Sequence, residues 1–197
     1  GAGTYDLGEG VNLVATPNAG YNFTNWTENG TVVSTNATYT FTATANRTLV
    51  ANFTQRTYNV TATVDPANSG TISGNNSPYT YGTNVSLTAN ANAGYAFVNW
   101  TDEDANVVST NANYQFTIDG NRTFVAHFEI EEYEITVTAN PTAGGSVTGA
   151  GTFQYGQIVT LNATANTGYT FTNWTENGSV VSSSAEYSFT ATADRTL

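Results

Sequence analysis

The chain has 197 residues, no cysteine, no methionine and a formal net charge of −11, with only 10% of its residues charged. These figures exclude disulfides, thiol chemistry and cysteine-ligated zinc. The four basic residues are Arg47, Arg56, Arg122 and Arg195, and there is no lysine. No basic stripe exists for nucleic acid or for an anionic membrane surface, and lysine–asparagine crosslinks are ruled out.

The chain states one pattern three times. Gly20-Tyr21-Asn22-Phe23-Thr24-Asn25-Trp26 returns as Gly94-Tyr95-Ala96-Phe97-Val98-Asn99-Trp100 and again as Gly168-Tyr169-Thr170-Phe171-Thr172-Asn173-Trp174. Both intervals are 74 residues, and Gly8, Gly82 and Gly156 repeat with the same spacing. The expected organisation is three small modules, at residues 1–56, 57–131 and 132–197, the first without its opening strand and the last without its closing strand. A module of about 70 residues buries only a modest core. Aromatic residues, 13% of the chain, have to supply that core.

The middle copy is the fullest. Tyr58 to Val64 alternates in period two and reads as a strand, and Asp65 to Gly70 as a turn. Thr71 to Gly74 is a short strand, broken by Asn75 to Pro78, and Val85 to Ala89 alternates again. Tyr95 to Thr101 is the aromatic strand, Asp102 to Asn106 a loop, and Val107-Val108 and Tyr114 to Thr117 are further strands. Asp119-Gly120-Asn121 turns the chain into a closing strand, Arg122 to Phe128. No segment carries a helical period; one helical turn near Ser109 to Asn113 is the exception allowed.

Within the aromatic strand, Tyr95 and Phe97 share a face, but Trp100 lies three beyond Phe97. A small module has one core, so a bulge or a strand end near Asn99 is expected. The core set is Tyr21, Phe23, Trp26, Tyr95, Phe97, Trp100, Tyr169, Phe171 and Trp174.

The run Gly-Tyr-x-Phe-x-x-Trp, the turn Glu28-Asn29-Gly30, the pair Tyr39 and Phe41, and Leu49 to Phe53 together resemble the divergent internalin B-repeat, also called the Listeria-Bacteroides repeat. Tyr133 to Pro141, Gly144-Gly145, Tyr155-Gly156 and Val159 to Leu161 fit the same pattern, so the resemblance covers essentially the whole chain. It implies β-rich modules related to the β-grasp, in large cell-surface proteins of bacteria and archaea, acting as spacers or adhesive stalks. It supplies no catalytic residue and no cofactor.

The remaining chemistry is sparse. His127, the one histidine, replaces Asn52 of the first copy and reads as a surface substitution. Asp102-Glu103-Asp104 reads as a solvated loop, since a calcium loop needs more ligands and a glycine. Glu129, Glu131, Glu132 and Glu134 read as an exposed junction. Exposed tryptophans would stack on sugars, but their fixed repeat position favours the core.

Fourteen sequons, at Asn22, Asn25, Asn29, Asn36, Asn46, Asn52, Asn59, Asn75, Asn84, Asn99, Asn121, Asn162, Asn173 and Asn177, are candidate glycosylation acceptors. The sequence therefore reads as an extracellular, non-enzymatic, all-β array serving as stalk, spacer or fibre segment, with a multivalent glycan- or protein-binding adhesin as the alternative. Its expected partners are neighbouring repeats, on the same longer chain or on like chains.

Overall fold

A computed structural model describes residues 1–197. The chain is almost entirely β-strand, with one short 3-10 turn, Thr142–Gly144, and no α-helix. The helix that completes a β-grasp thus has no counterpart. The single helical turn expected near Ser109 forms a bend instead. Threonine, valine and aromatic side chains suit a pleated, half-buried surface, and Gly and Asn supply the turns. No helix is long and apolar enough to cross a membrane.

By contact density the chain divides into two compact units. One holds Gly1–Ala62, Gly74–Leu87 and Asn113–Phe124; the other holds Thr63–Ser73, Thr88–Ala112 and Val125–Leu197. Residues of the middle repeat contribute to both.

In the first unit, Tyr21–Glu28 is the central strand of three, between Thr31–Ser34 and Leu49–Gln55. Gly10–Val14 pairs antiparallel with Thr38–Thr42 and sets Val11 opposite Phe41. Asn29 and Gly30, with φ of 49° and 80°, make the tight hairpin turn that the Asn-Gly pair signals. Asn177 and Gly178, at 51° and 79°, repeat it in the second unit.

In the second unit, Ile158–Ala165 lies between Gly145–Thr148 and Glu186–Thr190. Glu132–Thr136 pairs antiparallel with Gly151–Gln154 and parallel with Arg195–Thr196. Ile135, Val159, Leu161, Trp174, Ala191 and Leu197 form the buried core of this repeat.

The expected bulge is present in the first two repeats. The register shifts between Phe23 and Asn25 and between Phe97 and Asn99, so Thr24 and Val98 are the extra residues. After the shift Trp26 faces Ala51 while Phe23 faces Phe53. Ala51 and Phe53 are two apart on one strand, so both aromatics reach the same side. Asn25, opposite Asn52, is turned to the other side.

Candidate functional site

Each repeat seats its tryptophan in the same way. Trp26, Trp100 and Trp174 are buried. Their indole N–H groups donate to the carbonyls of Ala37, Ala112 and Ala185, at 3.2, 3.1 and 3.4 Å. The same carbonyls accept the backbone N–H of Ala15, Ala89 and Ala163. Phe23, Phe97 and Phe171 are half-buried and pack on the tryptophans at 5.9, 6.1 and 5.7 Å between ring centroids. The tryptophans are thereby committed to the core and are not available for stacking on sugars. Tyr21 and Tyr169, 39% and 47% exposed, lie outside the core assigned to them from the sequence, and Tyr95 is half-buried. Each follows the turn glycine at the rim of its repeat.

The two outer repeats share an arginine clamp. Arg47 donates through Nε and Nη2 to the Glu28 carboxylate, at 3.1 and 2.8 Å, and its guanidinium lies 4.4 Å from the Phe41 ring centroid. Arg195 does the same with Glu176, at 3.0 and 2.7 Å, and lies 4.1 Å from the Phe189 ring centroid. Hydrogen bonds from these arginines hold the Glu28 and Glu176 carboxyls below their ordinary range, and the guanidinium pKa values move up. The middle repeat solves the same position with an aromatic. Phe124 packs on Phe116 and Tyr114, at 5.0 and 5.3 Å, and Arg122 turns out to Asp119.

On the side of the sheet away from tryptophan lies a polar cluster. In the first repeat Asn52 Nδ2 donates to Asn25 Oδ1 at 2.9 Å and to Thr27 Oγ1 at 3.0 Å. In the middle repeat His127 takes that place. Its Nε2 is 2.9 Å from Thr101 Oγ1 and its Nδ1 is 3.2 Å from Asp65 Oδ2. Asn99 Oδ1 is left buried without a partner. Histidine, threonine and aspartate thus come into line, with Thr101 buried, His127 half-buried and Asp65 exposed.

The acidic loop serves itself. Asp102 Oδ1 accepts the N–H groups of Asp104 and Asn106, at 3.0 and 2.9 Å, and these bonds lower its pKa. No group of three metal-ligating side chains occurs in the chain. Of the junction carboxylates, Glu131 is half-buried and accepts the Tyr133 hydroxyl at 2.8 Å, while Glu129, Glu132 and Glu134 are exposed. Of the sequon asparagines, Asn25, Asn52, Asn99 and Asn173 are half-buried. Asn22, Asn29, Asn36, Asn46, Asn59, Asn75, Asn84, Asn121, Asn162 and Asn177 are exposed, although Asn75 Nδ2 is engaged with the Val60 carbonyl.

The feature that sequence reading missed is a joint between repeats. In the first unit, Gly20 is buried with φ +78°, and a Cβ on it would overlap the Tyr81 ring. Arg56 bridges the two: its N–H donates to the Gly20 carbonyl at 2.7 Å, and its carbonyl accepts the Tyr81 N–H at 3.0 Å. In the second unit, Gly94 (φ +80°) meets Tyr155 in the same way, bridged by Glu131 with both bonds at 2.8 Å. Tyr58 and Tyr133 flank the two joint tyrosines, each at 6.5 Å between ring centroids. The sequence signal was there, in a Tyr-Gly pair standing 61 residues after a Gly-Tyr pair (81 − 20 and 155 − 94).

No curated protein matches the chain. The sequence model of the divergent InlB B-repeat domain matches it at residues 1–57, 60–132 and 135–197, which is nearly its whole length. With three matched repeats of one kind, the chain belongs to the divergent InlB B-repeat domain family.

Proposed function

We propose that the chain is an extracellular spacer: a non-enzymatic array that carries something away from a cell surface, with reach set by the number of repeats. The observation that carries this is the joint, made at Gly20 and Tyr81 and made again at Gly94 and Tyr155. A ring seated on a bare Cα, with two backbone hydrogen bonds beside it, restricts bending between successive repeats. The family is generally non-catalytic and typically surface-associated, which agrees with this reading. A face of uncharged Thr, Asn and Ser suits such a role.

Small-angle scattering tests it. The comparison is between the 197-residue chain and the same chain extended at Leu197 by a copy of residues 50–197, a seam that keeps the repeat in register because Leu197 matches Leu49. The maximum dimension is expected to grow in proportion to the number of repeats. A dimension that stays constant on extension sinks the spacer reading.

A second reading, a multivalent adhesin, is favoured by one observation. Val32, Val107 and Val180 occupy the same hairpin position in the three repeats and are each more than half exposed. A glycan or protein bound there would be lost on replacing all three valines by serine, and a glycan array on the two proteins reads this directly. The exposed sequon asparagines are also proposed as glycan acceptors. A mass shift on enzymatic deglycosylation of the protein from its native host, confined to those positions, tests that.

A further inference from the structure

Asn29-Gly30 and Asn177-Gly178 are the two places in the chain where glycine follows asparagine. Each pair is the exposed tip of a two-residue hairpin, with Glu28 opposite Thr31 and Glu176 opposite Ser179. No hydrogen bond engages either asparagine side chain or either glycine N–H. A Cβ built on Gly30 or Gly178 would meet nothing within 4 Å, so nothing crowds the tip. Other side-chain amides are tied down. Asn52 bonds Asn25 and Thr27, Asn75 bonds the Val60 carbonyl, and Asn92 bonds the Asn68 carbonyl at 2.8 Å.

The middle repeat has no such pair. Its hairpin is one residue longer between Trp100 and Ser109 than the first repeat's between Trp26 and Ser34. There Asp102 ties the loop by accepting the N–H groups of Asp104 and Asn106. The middle repeat also lacks the arginine clamp. The Asn-Gly pair and the clamp thus occur together, and the clamp acids Glu28 and Glu176 each immediately precede the asparagine.

We propose that Asn29 and Asn177 are self-modifying sites: each converts in the folded protein to aspartate and isoaspartate, and the isoaspartate loosens the hairpin that presents the clamp acid. The Gly30 nitrogen attacks Asn29 Cγ, and a new C–N bond closes a cyclic imide. The Cγ–Nδ2 bond breaks, and Nδ2 leaves as ammonia with the proton lost from the Gly30 amide. Water then opens the imide. Opening at the Cγ carbonyl gives aspartate; opening at the main-chain carbonyl gives isoaspartate, whose chain runs through Cγ. One amide and one water become one carboxylic acid and one ammonia, and nothing is oxidised or reduced. Glycine serves at the second position because it has no side chain to crowd the attacking nitrogen. Asn177 and Gly178 react in the same way. Aspartate keeps the turn, since it tolerates a positive φ. Isoaspartate adds a carbon to the main chain inside a two-residue loop, and that loop sets the register of Glu28 with Thr31 and of Trp26 with Ser34.

The test ages the 197-residue protein in mildly alkaline buffer, which favours loss of the amide proton, and locates the new acids by peptide mapping. Enzymatic methylation counts isoaspartate separately. Conversion is expected at Asn29 and Asn177 ahead of every other asparagine, and more slowly in mildly acidic buffer. Hydrogen exchange in the aged protein is expected to speed by roughly tenfold at residues 31–34 and 179–182 as the hairpins fray, with residues 107–109 unchanged. The double variant Asn29→Asp, Asn177→Asp carries the charge without the extra carbon and is expected to keep the protection of fresh protein. The double variant Asn29→Gln, Asn177→Gln is expected to keep it through ageing, because the longer side chain closes the ring poorly.

Asparagines 29 and 177 that stay intact in the folded protein but convert in urea would overturn the proposal, since the turn would then be a shield. Conversion spread evenly over the exposed asparagines would overturn it as well. Isoaspartate at both sites with unaltered exchange, or equal loss of protection in the aspartate variant, would overturn the loosening of the hairpin by the added carbon.

Discussion

His127 Nδ1 lies 3.2 Å from Asp65 Oδ2, and at each of these two positions the middle repeat departs from a neighbour. Asn52 stands where His127 does in the first repeat, and Asn140 where Asp65 does in the third. The two departures touch, so each is the other's partner. Together they replace an amide that bonded two neighbours with an imidazole that bonds one of them and leaves Asn99 Oδ1 buried and unpaired.

Restoring the amide should therefore help. His127→Asn supplies an Nδ2 donor to Asn99 Oδ1, as Asn52 does to Asn25 Oδ1, and relief of one buried unsatisfied acceptor is worth about 1 kcal/mol. The exposed contact to Asp65 that is lost contributes little. The expected outcome is a higher urea midpoint for the middle repeat, followed by hydrogen exchange at its core amides. A lower midpoint would show that the histidine contributes more than the asparagine.

Trp100 is fully buried and carries a hydrogen bond to Ala112. Trp100→Ala should destabilise the middle repeat by about 3–5 kcal/mol, the usual cost of removing a large buried aromatic. Trp100→Phe should cost less, because most of the packing survives while the Ala112 carbonyl keeps the Ala89 N–H as its donor. Calorimetry gives both values, and acrylamide quenching of the wild-type protein should be weak for all three tryptophans. Free quenching would contradict their burial.

The bulge makes a sharper prediction. Deleting Val98 removes the extra residue between Phe97 and Asn99. Without it Phe97, Asn99 and Trp100 alternate regularly against Phe128, His127 and Ala126, so the deletion leaves Trp100 facing inward and Asn99 outward. Retention of the middle repeat's amide protection is therefore expected, and Val98→Thr should be almost silent because Thr24 holds that position in the first repeat. Collapse of native protection after the deletion would refute the bulge assignment.

The clamps set a pH dependence. Glu28 and Glu176 titrate below their ordinary value in the folded state because Arg47 and Arg195 hydrogen-bond their ionised forms, and Asp102 does so through the amides of its own loop. Depressed carboxylates contribute stability that is present above their unfolded pKa, about 4 for Asp and Glu, and is lost as pH falls through the lower folded values. Melting temperatures should thus be flat from neutral pH down to about 5 and fall below about 4. Glu28→Gln should shrink that acid sensitivity and lower the melting temperature at pH 7 by a few degrees at most. An unchanged acid limb in the double variant Glu28→Gln, Glu176→Gln would remove the clamps as its source.

What the sequence made legible was what lies close along the chain. Alternating segments marked the strands, Asn29-Gly30 marked the hairpin, and the Phe97-to-Trp100 spacing demanded an extra residue that the register shift supplies. What it concealed depends on residues far apart. The joint unites Gly20 with Tyr81, and the His127 contact reaches back to Asp65, and nothing local announces either pair. Tyr21 and Tyr169 were read as core because they share the strand's apolar alternation, but a place next to the joint glycine puts them at the rim. The arginine clamp was missed for a related reason. Its acid lies 19 residues upstream, in another hairpin, and the aromatic rings beneath the guanidinium looked like core on their own.

The extra residue in the aromatic strand works as a frame-setter. Six positions separate the turn glycine from the tryptophan in every repeat, at Gly20 and Trp26, Gly94 and Trp100, and Gly168 and Trp174. Elsewhere the copies drift: Trp26 to Arg47 spans 21 positions and Trp100 to Arg122 spans 22. Loops absorb such drift without exchanging the two sides of a sheet. The six-position ruler instead fixes which residue of the closing strand each aromatic meets, Phe53 for Phe23 and Ala51 for Trp26. Across the three repeats length varies in the hairpins and stays constant between the joint and the core.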